Sequence, residues 1–163
     1  MADDEPLTPD AMVAESRTGA VRLTPRAAWS KLLTGGVLVD IRPMEQRVRD
    51  GEIEGSLVIE QNVVEWRLAT TSATRLAGLP ADAPVIVLCN EGYASSLVAA
   101  NLRRLGLPSA TDVAGGFVAW CAAGLPVVPG GRRAIHEASS VSEEGVADQL
   151  PGVSVGGAED SLA

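Results

Sequence analysis

The sequence contains almost no histidine or lysine. Its one histidine, His136, follows the Pro129-Gly130-Gly131 turn that is predicted to end the fold, so the predicted fold holds no imidazole. This scarcity argues against Ser–His–Asp and Cys–His catalysis and against histidine-bound metals, and we expect neither a metal site nor a cofactor. Its one lysine, Lys31, lies in a helical pattern, and no Gly-x-x-x-x-Gly-Lys-Ser/Thr motif occurs. Nucleotide chemistry on a phosphate loop is therefore not expected.

Cysteines are also scarce, and no long apolar run occurs. Cys89 and Cys121 fit neither a metal-ligand nor a disulfide-framework spacing, so both are expected to be reduced thiols. Cys121 follows Trp120 in a short predicted helix and is expected to pack there, with a resolving thiol as the alternative. No stretch is long enough to span a bilayer, and the Met-Ala-Asp-Asp-Glu-Pro start has no signal-peptide pattern. We predict a cytoplasmic protein with no membrane partner.

The formal net charge of −8 is confined to the two ends of the chain. Residues 1–20 carry five acidic residues against one arginine and residues 131–163 carry six against two, whereas the segment between them is neutral. Because charged segments poor in large apolar residues usually stay disordered, residues 1–21 and 130–163 are predicted to be disordered acidic tails that favour solubility or, alternatively, docking. Residues 22–129 are predicted to form one domain. It offers no cationic surface, so nucleic acid is not an expected partner.

Within that domain, extended and helical patterns alternate along the chain. Short β-branched runs are predicted to be strands, and segments with apolar residues at helical spacing are predicted to be helices. This alternation favours an α/β fold, with a central parallel sheet of about five strands and helices on both faces. The clearest strands are 37–41, 85–88 and 110–113, and the clearest helices are 25–33, 95–105 and 117–122.

Cys89 lies between a predicted buried strand, Val85 to Leu88, and a predicted amphipathic helix, Ser95 to Leu105. The carboxyl ends of parallel strands are where ligands bind in such sheets. Backbone N–H groups of the turn from Asn90 to Ser95 can converge on the sulfur, and Gly92 supplies the conformational freedom that such a nest requires. A buried, inert thiol is the alternative.

Four segments, in this order, carry a resemblance to the single-domain rhodaneses, a family of sulfurtransferases. They are Leu38-Val-Asp-Ile-Arg42, Asp50-Gly-Glu-Ile-Glu-Gly-Ser56, Cys89-Asn-Glu-Gly-Tyr-Ala-Ser95 and Asp112-Val-Ala-Gly-Gly-Phe-Val-Ala-Trp-Cys-Ala-Ala-Gly-Leu-Pro126. The resemblance implies a rhodanese-like fold and transfer of a sulfane sulfur through a Cys89 persulfide. The donor would be thiosulfate or a related compound, and the acceptor cyanide or a thiol such as a protein dithiol.

The resemblance also implies roles for the residues around the nucleophile. The loop residues Asn90, Glu91, Gly92, Tyr93, Ala94 and Ser95 would bind the sulfur donor, with Tyr93 either at the lip of the pocket or simply exposed. Glu91 is expected to point into solvent, because a carboxylate near the sulfur opposes an anion there. Ser95 and Ser96 are predicted to cap the following helix, with substrate contact as the alternative. Asp40 and Arg42 are expected near the site as an ion pair or loop anchor.

The sequence departs from the family pattern at two positions. Glu52 replaces the histidine of the family's Gly-His-Ile segment and is expected to be a surface change. Ala94 stands where the cysteine loop often has an arginine that helps to hold an anionic donor, which leaves a rhodanese-like binding or regulatory module as the alternative function. A cysteine phosphatase or arsenate reductase is disfavoured, because Ser95 stands at the seventh loop position, where the phosphatase pattern has arginine.

Overall fold

A computed structural model describes residues 5–135 of the chain. Helices and short strands alternate through most of this range, and among the described residues no helix is long and apolar enough to cross a membrane. The elements in chain order are α1 (Pro9–Ser16), α2 (Pro25–Leu33), β1 (Val37–Asp40), α3 (Met44–Asp50), β2 (Leu57–Val58), α4 (Val64–Leu68), β3 (Val85–Leu88), α5 (Ala94–Arg104), β4 (Thr111–Asp112) and α6 (Gly116–Ala122).

The strands form one parallel sheet in the order β2-β1-β3-β4. The predicted α/β fold is confirmed. Four strands stand where about five were expected, and an isolated parallel bridge between Leu23 and Val113 adds a further extended contact next to β4. In the central pair, Asp40 on β1 lies opposite Leu88 on β3, so both strands end at the same level. That shared edge is where the chain continues into Arg42 on one side and Cys89 on the other.

The core lies on both faces of the sheet because neighbouring residues of a strand point to opposite sides. On one face, Val85 and Val87 pack with side chains of α4 and α5. On the other face, Ile86 and Leu88 pack with side chains of α2 and α6. Every residue of β1 and β3 is buried, as expected for central strands of a sheet covered by helices on both sides.

The disorder predicted for residues 1–21 is wrong over α1. Thr8 caps this helix through its side chain and Pro9 occupies the first turn, which are both strong helix-start signals. The helix packs on α5 and buries Val13. Composition did not reveal this helix, because its contacts with α5, including the bond from Arg103 to the Ser16 carbonyl, come from distant parts of the chain.

The predicted domain boundary at residue 129 is also wrong, because the fold continues to the end of the described range. The amide of Ile135 donates to the carbonyl of Val58, and the Ile135 side chain is buried. Arg132 bonds Glu52, a residue expected at the surface but fully buried here. Glu52 also pairs with the buried Arg47. The remainder of the predicted C-terminal tail, from residue 136 on, lies outside the described residues.

Candidate functional site

Cys89 follows β3 directly and is 7% exposed. Its own carbonyl accepts a 2.9 Å hydrogen bond from the amide of Phe117 at the start of α6, and the carbonyl of the preceding Leu88 accepts one from Ile41. The residue is therefore fixed from both sides at the carboxyl edge of the sheet. This position leaves the sulfur facing the loop that leads into α5.

Two backbone amides of that loop point at the sulfur. The Gly92 N–H donates to Cys89 Sγ at 3.1 Å, and the Ser95 N–H donates at 3.4 Å. Ser95 Oγ lies 3.2 Å from the same sulfur. Helix α5 starts at Ala94, so its positive end adds to these donors. The arrangement provides an electropositive cradle of the type that holds a negatively charged sulfur.

Gly92 is required for the shape of this cradle. Its φ is +87°, in the region that disfavours side chains, and a Cβ built on it would lie 2.8 Å from the Gly115 nitrogen and 3.0 Å from Arg22 Nη2. Backbone and guanidinium thus crowd the loop from the side opposite the sulfur. The sequence prediction of a special conformation at Gly92 agrees with this geometry.

A cavity of about 330 Å³ opens in front of the sulfur. Four predicted loop residues, Asn90, Glu91, Tyr93 and Ala94, line it together with Cys89, whereas Gly92 and Ser95 support the sulfur from behind. Glu91 is exposed at the rim, as expected from its charge, and Tyr93 is a largely exposed lip residue. Sequence reasoning missed the two polar lining residues Gln46 and Gln61, because nothing in their local pattern places them near Cys89.

Arg42 lines the same cavity, but its charge is already compensated. Its guanidinium bonds both carboxylate oxygens of Asp40 and the carbonyl of Gly51, and it stacks on the Phe117 ring at 3.7 Å. Arg42 and Asp40 are both fully buried. They form a buried ion pair that fixes the strand end next to Cys89, and the cavity gains little net positive charge from it.

Ser95 and Ser96 face the interior of the site and do not cap α5. The helix has Tyr93 at its cap position without a side-chain cap bond, so the capping role predicted for the serines is wrong. Both hydroxyls reach Asp112 Oδ2 instead, Ser95 at 2.8 Å and Ser96 at 2.9 Å.

Two arginines from the N-terminal part of the chain complete the rear of the loop. Arg22 forms a two-bonded ion pair with Asp112 and also donates to the Gly92 carbonyl at 3.0 Å. Arg17 donates to that same carbonyl and to Ser96 Oγ, and lies over the Tyr93 ring at 5.9 Å. Sequence reasoning missed all three of Arg17, Arg22 and Asp112. For Arg17, the available signal was its position as the one arginine in the otherwise acidic residues 1–20.

Cys121 is exposed on α6 and does not pack in the core, contrary to expectation. Partial burial raises the pKa of its thiol, and Arg42 only partly opposes this effect. A thiol with a raised pKa is a weak nucleophile near neutrality. The electropositive cradle therefore singles out Cys89 as the reactive position. Among the described residues, no group of three or more His, Cys, Asp or Glu side chains is placed to hold a metal.

The family model described as "Rhodanese-like domain" matches residues 24–123. The chain belongs to the rhodanese-like domain family. Thiosulfate sulfurtransferase GlpE of Haemophilus influenzae is 32% identical to it over 106 residues, which are 64% of this chain and 91% of that protein. The GlpE protein of Actinobacillus succinogenes is 33% identical over 107 residues, which are 64% and 87% of the two chains. The protein is accordingly a rhodanese-like enzyme of the sulfurtransferase type.

Solved structures show the same fold. A Rhodopseudomonas palustris protein, described as of unknown function and a possible tyrosine phosphatase, superposes with a TM-score of 0.69 at 27% identity, covering 78% of this chain and 99% of that one. The polysulfide-sulfur transferase homodimer of Wolinella succinogenes gives a TM-score of 0.59 at 26% identity, covering 73% and 85%. The family match begins at residue 24, so Arg17 and Arg22 contact the loop of this rhodanese-like domain from outside the matched segment.

Proposed function

We propose that this rhodanese-like enzyme transfers a sulfane sulfur from thiosulfate or a related donor to a thiol or cyanide acceptor through a persulfide on Cys89. The observation that carries the proposal is the pair of amides, from Gly92 and Ser95, directed at Cys89 Sγ beneath an open cavity. Such donors stabilise the Cys89 thiolate, which attacks the donor and is released again when the acceptor takes the sulfur. The relatives named thiosulfate sulfurtransferase support thiosulfate as the first donor to test.

The proposed reaction has two displacement steps. The Cys89 thiolate attacks the outer sulfur of the donor, a new S–S bond forms to Sγ, and the donor's own S–S bond breaks; when thiosulfate is the donor, sulfite leaves. The acceptor thiolate or cyanide then attacks the outer persulfide sulfur and releases the Cys89 thiolate. One residue serves both steps, as in other covalent catalysis by a nucleophile. Before and after each step, the sulfur group carried by residue 89 has one negative charge.

Mass spectrometry after incubation with a donor tests the proposal. A Cys121→Ser background leaves one thiol on the chain, and in it we expect one added sulfur that later addition of a thiol or cyanide removes. Cys89→Ser in the native background is the matched control and should take up no sulfur. The proposal fails if no donor from a panel of thiosulfate, polysulfide and organic persulfides labels Cys89.

A binding or regulatory module with little turnover is the second candidate. It is favoured by the charge of the cavity, where Ala94 brings no cation, Glu91 brings a carboxylate and Arg42 is already paired. In that case Cys89 would take up sulfur but not pass it to any acceptor. A steady-state assay that detects sulfite and the sulfurated acceptor together separates the two candidates.

Phosphatase activity is disfavoured, since the seventh loop position, Ser95, donates no charge and its hydroxyl is held by Asp112. Hydrolysis of a generic aryl phosphate by the purified enzyme would favour phosphatase activity over sulfur transfer. Both cysteines of the described residues are free thiols, and we propose a reducing compartment, the cytoplasm, as the place of action.

A further inference from the structure

The Ser95 hydroxyl lies between the nucleophile and a buried carboxylate. Its oxygen is 3.2 Å from Cys89 Sγ and 2.8 Å from Asp112 Oδ2. Ser95 is fully buried and Asp112 is 2% exposed, so bulk water does not compete for these contacts. The sulfur, the hydroxyl and the carboxylate thus form a hydrogen-bond chain that leads from Cys89 into the interior of the domain.

The number of protons available to these three groups determines which group donates in each hydrogen bond. A serine hydroxyl has one proton to donate, and an ionised carboxylate can only accept. The Arg22 guanidinium donates two bonds to the Asp112 carboxylate, and the Ser96 hydroxyl also reaches it. The Ser95 proton is therefore directed at Asp112, and the Ser95 oxygen presents its lone pair to Cys89 Sγ. That lone pair accepts from a thiol and repels a thiolate.

We infer that Asp112 is a positioning residue that orients Ser95 as a hydrogen-bond acceptor toward Cys89, so that the Ser95 oxygen works against the two loop amides that stabilise the Cys89 thiolate. The persulfide does not meet this opposition, because its charge lies on the outer sulfur and Sγ is neutral. The network thus favours the sulfur-loaded state relative to the empty thiolate. The inference rests on the proposed function only in taking Cys89 as the residue that carries sulfur.

The opposite role, in which Asp112 withdraws the thiol proton through Ser95, fits the site less well. Protonating Asp112 would leave Arg22, which is only 20% exposed, without its counter-charge. Breaking a buried ion pair is costly. The charged groups that face this hydrogen-bond chain are Arg22, which pairs with Asp112, and Arg17, which donates to Ser96. The two roles predict opposite effects of the same substitutions.

The test is the rate of alkylation of Cys89 by iodoacetamide at one fixed, mildly acidic pH, in a Cys121→Ser background. Below the pH at which a thiol ionises, this rate follows the thiolate fraction, damped because a more acidic thiol is a weaker nucleophile. Asp112→Asn removes the charge and places an amide that can donate to Ser95, which frees the Ser95 proton to turn to the sulfur. We expect alkylation to become about two- to fivefold faster, the size of one ordinary hydrogen bond.

Ser95→Ala provides a second test, because its effect on the alkylation rate should reverse direction between two backgrounds. With Asp112 in place it should speed alkylation, because it removes the acceptor of the thiol proton. In the Asp112→Asn background it should slow alkylation, because there it removes a donor to the thiolate. Circular dichroism confirms that each variant is folded, and if Asp112→Asn does not fold, Ser95→Ala alone decides. Unchanged or slower alkylation in Asp112→Asn, or in Ser95→Ala with Asp112 present, overturns the inference. Both readouts are independent of sulfur transfer, so they hold even if no donor loads the enzyme.

Discussion

The guanidinium of Arg17 donates a 2.8 Å hydrogen bond to the carbonyl oxygen of Gly92, a residue 75 positions further along the chain. The Gly92 amide in turn donates to Cys89 Sγ. One loop residue thus links an N-terminal arginine to the nucleophile. Because Ala94 brings no charge to the loop, the cationic groups that contact this loop come from the N-terminal side of the family-matched segment.

Arg17→Ala should slow persulfide formation on Cys89. The loop loses one of the two guanidinium donors on the Gly92 carbonyl and keeps the bonds from Arg22 and the Ser96 hydroxyl, so the Gly92 amide is held less firmly toward the sulfur. A hydrogen bond of this kind at a partly exposed site is worth about 1 kcal/mol, or roughly a fivefold decrease in rate. Stopped-flow measurement of sulfite release checks this. Arg104→Ala, an equal loss of charge at the far end of α5, should leave the rate within about twofold. Equal effects of the two variants would contradict the loop-support role.

Gly92→Ala should abolish sulfur loading while a matched glycine substitution does not. Gly92 and Gly78 have similar positive φ values, +87° and +77°, but a Cβ at Gly78 meets no atom within 4 Å, whereas one at Gly92 meets the Gly115 backbone. Backbone strain alone costs about 1–2 kcal/mol. Gly78→Ala should therefore lose about that much stability and keep its loading, measured by mass spectrometry. Normal loading in Gly92→Ala would show that the loop tolerates displacement.

Glu52→Ala should destabilise the fold strongly. It removes the carboxylate from Arg47, which is fully buried, and from Arg132. Leaving a buried charge unpaired costs about 3–5 kcal/mol. The free energy of unfolding in urea measures the loss. Glu54→Ala, two residues away and exposed, is the control and should change stability by less than about 0.5 kcal/mol. A small loss in Glu52→Ala would mean that water reaches Arg47 in the variant.

The same carboxylate makes stability depend on pH. Burial by itself would raise the pKa of Glu52, but the hydrogen bonds from Arg132, the Gly131 amide and Arg47 outweigh it and hold this pKa below 4.5. A depressed folded-state pKa gives stability that is complete above the unfolded-state value and is lost as the pH falls through the folded-state value. The stability difference between the native protein and Glu52→Gln should be constant above about pH 4.5 and shrink below it. Urea unfolding at a series of pH values tests this, and a difference that grows on acidification contradicts it.

The sheet and the position of Cys89 could be predicted from the sequence because both follow from local patterns. Apolar β-branched runs identify the central strands, and parallel topology then places Cys89 at their carboxyl edge. The contacts that support the loop could not be found this way. Arg17 and Arg22 reach Gly92 and Asp112 only after the chain has closed on itself, and counting charges assigned Arg17 to a disordered tail. The predicted surface position of Glu52 was wrong for the same reason, since its burial depends on Arg47 and on the distant Arg132.

The ion pair between Arg132 and Glu52 spans 80 residues of chain. Arg47 and Glu52 leave the ribosome early and can meet at once, whereas Arg132 emerges only after all six helices and all four strands of the described residues. Until then the Glu52 carboxylate has one of its two arginine partners. Completion of this pair therefore waits until nearly all of the described residues have been made, and a nascent chain stalled before residue 132 would leave the Glu52 carboxylate with Arg47 alone.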